Sequence, residues 1–102
     1  MSEAELQELI VEAAELAGWL VFHDVDSRRN APGFPDLVLV SSRFGRVVFL
    51  ELKSEIGRLR PDQHVWMDAL SRCDTIASAI VRPEHADRII RYLQNPESKG
   101  TK

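Results

Sequence analysis

Residues 35–53 read Pro-Asp-Leu-Val-Leu-Val-Ser-Ser-Arg-Phe-Gly-Arg-Val-Val-Phe-Leu-Glu-Leu-Lys. Two β-rich runs, 36–40 and 46–51, flank a short polar link from Ser41 to Gly45, the pattern of an antiparallel hairpin. With a link of two or four residues centred on Arg43-Phe44, paired positions sum to 87, so Val40 faces Val47 and Asp36 faces Glu51. Side chains directly opposite one another leave the same face of the sheet, their Cβ atoms about 4.5–5.5 Å apart. Lys53 lies two residues beyond Glu51 and shares that face through the strand period of two. A three-residue link would shift the register and separate the carboxylates, so the facing depends on the turn.

Working outward, residues 3–17 predict an amphipathic helix, with Leu6, Ile10, Ala13, Ala14 and Ala17 at helical spacing, Ser2 as N-cap and Gly18 as stop. Residues 19–23 are aromatic and β-branched, a strand; 24–33 are polar with Asn30, Pro32 and Gly33 as breakers, a loop. Past Gly57, Pro61 suits the first position of a helix running to about Arg72. Residues 75–81 form an apolar run expected to be a strand buried on both faces, and 84–93 a last helix with Ala86, Ile89, Ile90 and Leu93 inward. The expected order is αβββαβα: an α/β fold with one mixed central sheet flanked by helices. Residues 1–94 are expected to form one domain and 95–102 a flexible tail.

Composition is that of a globular chain, 44% hydrophobic and 28% charged. No apolar run approaches the roughly 20 residues that cross a bilayer, so no membrane partner is expected. The acidic start does not resemble a secretory signal. A lone cysteine, Cys73, forms no internal disulfide, so a cytoplasmic location is expected, and with three scattered histidines it makes no structural zinc site. The net charge of -3 stands against tight non-specific binding to nucleic acid unless the basic residues gather on one face.

Two carboxylates about 5 Å apart repel by roughly 3 kcal/mol at an effective dielectric near 20. Lys53 offsets part of this, and a divalent cation offsets more. Oxygen ligands of this kind suit Mg²⁺ or Mn²⁺ together with a substrate phosphate, so phosphodiester hydrolysis is the chemistry that fits. The plainer reading makes Glu51 and Lys53 a surface ion pair and Asp36 a strand-start residue; Glu-x-Lys alone carries almost no signal.

Gly33-Phe34-Pro35-Asp36 followed by Glu51-Leu52-Lys53 resembles the signature of the PD-(D/E)XK nuclease superfamily, whose restriction-endonuclease-like core is αβββαβ. Further features resemble its VRR-NUC branch and that branch's compact stand-alone phage and bacterial members. They are Glu3-Ala4-Glu5-Leu6-Gln7, Gly18-Trp19, Ser27-Arg28-Arg29, Gly57-Arg58 with Gln63, and Val81-Arg82-Pro83, spread over about residues 3 to 93. The resemblance implies a metal-dependent endonuclease with Mg²⁺ (or Mn²⁺) held by Asp36, Glu51 and the backbone carbonyl of Leu52, and with Lys53 aiding catalysis. It also implies an acidic residue from the first helix. Glu3 fits that place better than Glu5, because Glu3, Gln7, Ile10 and Ala14 share a helical stripe. The branch includes enzymes acting on branched or flapped DNA, and its short members resemble Holliday-junction resolvases that work as dimers, so a homodimer is implied. A non-catalytic nucleic-acid-binding module, or a nuclease subunit inert without a partner, is the alternative.

Gln63 is a polar residue on the otherwise apolar stripe Leu59, Gln63, Trp66, Leu70; it reaches the catalytic residues or makes a helix-start hydrogen bond. Ser27, Arg28 and Arg29, with Arg58 and Arg60, are the expected DNA contacts, and Arg43 and Arg46 are candidates to extend the rim. His23, His64 and His85 read as surface residues and Trp19 and Trp66 as core. Arg82 reaches either the site or a dimer partner.

Overall fold

The computed structural model describes residues 1–25 and 31–96. The elements are α1 (Glu3–Leu16), β1 (Leu20–His23), β2 (Leu37–Ser41), β3 (Arg46–Leu52), α2 (Pro61–Ser71), β4 (Ala77–Val81), a 3₁₀ turn (Pro83–His85) and α3 (Ala86–Gln94). The expected order and the α/β class hold.

Strands run in the spatial order β1-β2-β3-β4. The first three pair antiparallel, and β4 lies parallel to β3 after a crossover through α2. Val40 pairs with Val47 and Leu37 with Leu50, the register summing to 87. The link has four residues after Ser41, whose Oγ accepts the Phe44 N–H at 3.0 Å, and Gly45 supplies a φ of +66°.

One face of the sheet carries Leu37, Leu39, Val48, Leu50, Leu52 and Val81, which pack with Leu6, Ile10 and Ala14 of α1 and Ala86 and Leu93 of α3. That core places α1 and α3 together on one side. Ser2 caps α1 in a capping box with Glu5, which leaves Glu5 engaged at the helix start. Trp19 is buried and donates from its indole N–H to the Leu93 carbonyl at 2.8 Å, tying α3 back to the start of β1. The alternate residues Phe49, Glu51 and Lys53 leave the other face, which α2 covers.

Two expectations are corrected. The run at 75–81 is not buried on both faces: residues 76–80 are half-buried, and β4 is an edge strand with no outer neighbour among the described residues. An apolar run that long fits either situation, because periodicity does not count neighbours. His85 is not a plain surface residue either; its Nδ1 accepts the Arg82 N–H at 3.0 Å and closes the 3₁₀ turn. Asn95 and Pro96 are described and Pro96 is buried; the rest of the expected tail, 97–102, lies outside the described residues. No described helix is long and apolar enough to cross a membrane.

Gly33 fixes the distance between the loop before β2 and the N-terminus of α2. Its φ is +89°, and an added Cβ would run into the backbone carbonyl of Asp62. Gly33→Ala is expected to lower stability by about 2–4 kcal/mol in urea unfolding. Gly45→Ala, where an added Cβ meets nothing within 4 Å, is expected to lose only the left-handed term of about 1–2 kcal/mol.

Candidate active site

The loop 31–36 places Asp36 through aromatic packing. The Phe34 ring sits edge-on to Phe49 of β3 (6.2 Å) and Trp66 of α2 (5.0 Å). The Trp66 indole N–H donates to the Pro32 carbonyl at 3.2 Å. Pro35 is fully buried, and the Asp36 carbonyl accepts the Asp24 N–H at 3.1 Å. The carboxylate itself turns toward β3, where Oδ2 accepts the Leu52 N–H at 2.8 Å. Because a strand residue points its N–H and C=O to the same side, the Leu52 carbonyl also faces the Asp36 side. Lys53 points its N–H the other way, to Val81 O at 2.9 Å.

Glu51 is 1% exposed, Gln63 6% and Lys53 8%. The Gln63 amide bridges two elements: Nε2 donates to Glu51 Oε2 at 2.8 Å, and Oε1 accepts the Arg60 N–H at 2.9 Å. Both roles weighed for Gln63 from sequence, reaching the site and closing the helix start, are therefore filled at once. Lys53 Nζ lies 3.8 Å from the same Glu51 Oε2. Oε1 of Glu51 is buried and receives no N–H or O–H from the rest of the protein; in the protonated form the Glu51 carboxyl has the Asp36 carboxylate as its hydrogen-bond acceptor. Burial pushes the Glu51 carboxyl up to about 8, the Asp36 charge adds to the rise, and Lys53 offsets part of it. The charge of Glu3 acts in the same direction, which sets α1's first turn within electrostatic reach of the site. Gln7, one turn on, has its side-chain amide nitrogen 3.4 Å from His23 Nδ1.

The structure thus brings Asp36, Glu51, Leu52, Lys53 and Gln63 together, with Glu3 near the rim. Arg58 is exposed on the segment between β3 and α2. Arg60 is half-buried, with Nε 3.3 Å from Asp62 Oδ1, so its charge is partly matched. Arg43 lies over the Phe44 ring at 5.0 Å, at the turn end of the hairpin away from the carboxylates, and Arg46 starts β3 at that same end. Ser27, Arg28 and Arg29 lie outside the described residues.

Sequence reasoning left Arg82 open between two roles. Its Nη1 donates to the carbonyls of Ser54 and Gly57, both at 2.7 Å, and so pins the turn that follows Lys53. A contact spanning 25 to 28 residues has no local signal; only the basic residue at the end of the last strand marked it.

The donor set suits a hard divalent cation. It offers two carboxylates and a backbone carbonyl, with one carboxylate oxygen buried and receiving no hydrogen bond. Among the described residues no group of three or more His, Cys, Asp or Glu is placed to hold a metal ion.

The family model for the VRR-NUC domain matches residues 2–83. No curated protein and no solved structure matches the chain.

Glu51 makes metal-free stability depend on pH. In the unfolded chain it loses its proton near 4.5, whereas in the fold it keeps it to about 8. The native state therefore holds more protons between those values, and stability falls as pH rises through the window. Glu51→Gln keeps an oxygen to accept from Gln63 and removes the titration. In EDTA its melting temperature is expected to exceed that of the parent by a margin growing from pH 5 to 8, worth about 3 kcal/mol or less at the top. A margin that stays flat with pH would show that Glu51 is not held protonated.

Proposed function

The chain belongs to the VRR-NUC domain family, a family of nucleases, and we propose that it is a divalent-metal-dependent endodeoxyribonuclease acting on branched or flapped DNA. The observation that carries this reading is the buried Glu51 carboxyl set against Asp36, its Oε1 receiving no hydrogen bond from the rest of the protein and its pKa raised. Two carboxyl groups buried against one another repel once both are ionised, and a cation held by both would relieve that repulsion.

In this reading Asp36, Glu51 and the Leu52 carbonyl hold Mg²⁺ or Mn²⁺. The bound cation would neutralise charge on the scissile phosphate and make a water easier to deprotonate. The chain's own residues do the rest. The Leu52 N–H fixes the Asp36 rotamer, and Gln63 fixes Glu51 through Oε2 so that Oε1 remains free. Lys53, nearly buried and next to Glu51, orients the attacking water and keeps the cluster from carrying two uncompensated negative charges. Glu3 adds a rim carboxylate on the side of α1. Arg58 and Arg60, with Ser27, Arg28 and Arg29 on sequence grounds, contact the phosphate backbone.

Recognition by DNA shape fits better than recognition of a base sequence, because none of the three helices presents a row of base-reading side chains to an open groove. Residues 1–94 serve as the nuclease domain. The reducing cytoplasm, where DNA and Mg²⁺ are both at hand, is the place of action. Cleavage of a synthetic four-way junction or flap should require Mg²⁺ or Mn²⁺ and stop with EDTA. Asp36→Asn and Glu51→Gln should reduce it to background with the fold intact, and Gln63→Ala, which releases the Glu51 carboxylate, should lower it about 10–100-fold. Near-native turnover by either carboxylate variant would refute the metal assignment, and activity that appears only with an added partner would favour an obligate subunit.

A homodimer is part of the proposal, and the β4 edge supports it. Residues 75–81 of that edge carry no charge and no proline, the usual protections of a free strand. An antiparallel pairing of two copies centred on Ser78 sets Asp74 of one across from Arg82 of the other. Light scattering should report twice the 11.6 kDa chain mass, and Ser78→Lys should shift it to monomer. A dimer indifferent to that substitution would place the interface elsewhere.

A further inference from the structure

Ile56 is 90% exposed and stands three residues past Lys53, in the turn between β3 and α2. Single exposed apolar residues are ordinary on protein surfaces; what sets this one apart is the turn that carries it. The turn that carries Ile56 is tied at both ends. Ser54 Oγ accepts the Gly57 N–H at 2.9 Å, and Arg82 Nη1 holds the Ser54 and Gly57 carbonyls at 2.7 Å each. The turn also lies on the catalytic lysine: a Cβ added at Gly57 would stand 3.6 Å from Lys53 Cδ. Exposed Arg58 follows within two residues. The fold therefore uses the hydrogen bonds of a half-buried arginine to keep a short apolar tip turned to solvent beside the proposed cleavage centre.

We infer that Ile56 is a wedge that packs against an unstacked base at a DNA branch point, next to the phosphate that is cut. The inference rests on the nuclease reading above and names what that site selects. Apolar side chains of this size enter between base steps when a protein holds them rigidly against the duplex, and the unstacking they require is least where stacking is already interrupted. In intact duplex Ile56 finds no gap and stays wet. At a branch or flap junction it exchanges water for a base face, and the exchange is favourable only there. Arg58 beside it supplies a charge that holds the adjoining phosphate. Ile56 is thus a specificity residue, and Arg82 a positioning residue acting through the turn.

The test compares a four-way junction, a flap and a linear duplex of equal length, each with 2-aminopurine at the branch or the matching position. Ile56→Ala should lower the ratio of junction to duplex affinity about tenfold in EDTA, and the same ratio of cleavage rates in Mg²⁺. The 2-aminopurine fluorescence that rises on binding of the parent to the junction should fail to rise with the variant, while Ile56→Met should restore both signals. A uniform loss on all three DNAs, or no loss, overturns the wedge and leaves the nuclease reading standing. A parent protein that neither binds nor cuts any of the three overturns both.

Discussion

The hydrogen bond from Gln63 to Glu51, 2.8 Å long and closed off from solvent, is the contact on which the rest of the site depends. It joins the N-terminal turn of α2 to the middle of the sheet and decides which oxygen of Glu51 remains free. Three other features serve it. Gly33 lets the loop before β2 approach the Asp62 carbonyl more closely than any Cβ allows. Phe34 fills the space between Phe49 and Trp66, so α2 has one depth at which it can sit. Pro61 starts the helix at the one position where a missing N–H does no harm, which puts Gln63 in its first turn with its Oε1 on the Arg60 N–H. The loop carrying Asp36 and the helix carrying Gln63 are thereby positioned by the same aromatic contact.

Such a site works against the stability of the fold that holds it. A carboxylate with one oxygen receiving no hydrogen bond and a second carboxylate across the strand pair opposes folding wherever Glu51 is ionised. Lys53 is too distant, at 3.8 Å, and too singly charged to cancel this. A purely structural solution would place an apolar residue at position 51, continuing the run Val47 to Leu50. The stability forgone is supplied from the opposite face, where Leu6, Ile10, Leu37, Leu39, Leu50, Leu52 and Leu93 are nearly or wholly buried. The sheet thus separates its two tasks by strand alternation, apolar residues on one side and chemistry on the other.

That alternation is why so much could be read in advance. Hairpin register, the shared face of Asp36, Glu51 and Lys53, and the order of elements all follow from local patterns of period two and 3.6. The pairing held because the link proved to be four residues, with Ser41 closing it and Gly45 supplying the left-handed backbone. What could not be read is non-local. Nothing near Arg82 reports that its guanidinium reaches back to Ser54 and Gly57, and nothing in an apolar run reports that β4 lacks a neighbour on its outer side. Gln63 lay between the two cases: its place on an apolar stripe marked it as a buried polar group needing a partner, but the partner's identity required α2 to be set on the sheet.

The acidic net charge, an objection to DNA binding when read as a total, weakens once it is placed on the fold. α1 alone contributes five glutamates, Glu3, Glu5, Glu8, Glu12 and Glu15; setting those five negative charges against the total of -3 leaves the remainder of the chain at +2. α1 packs on the sheet face opposite α2, so these five negative charges lie behind the sheet, whereas Lys53, Arg58 and Arg60 stand with Asp36, Glu51, Glu55 and Asp62 on or beside the face that carries the carboxylates. Glu3 is the exception, at the end of α1 that reaches the site, and there its charge already bears on Glu51. The one glutamate of α1 in electrostatic contact with the site is therefore the one that a cation between Asp36 and Glu51 would also attract.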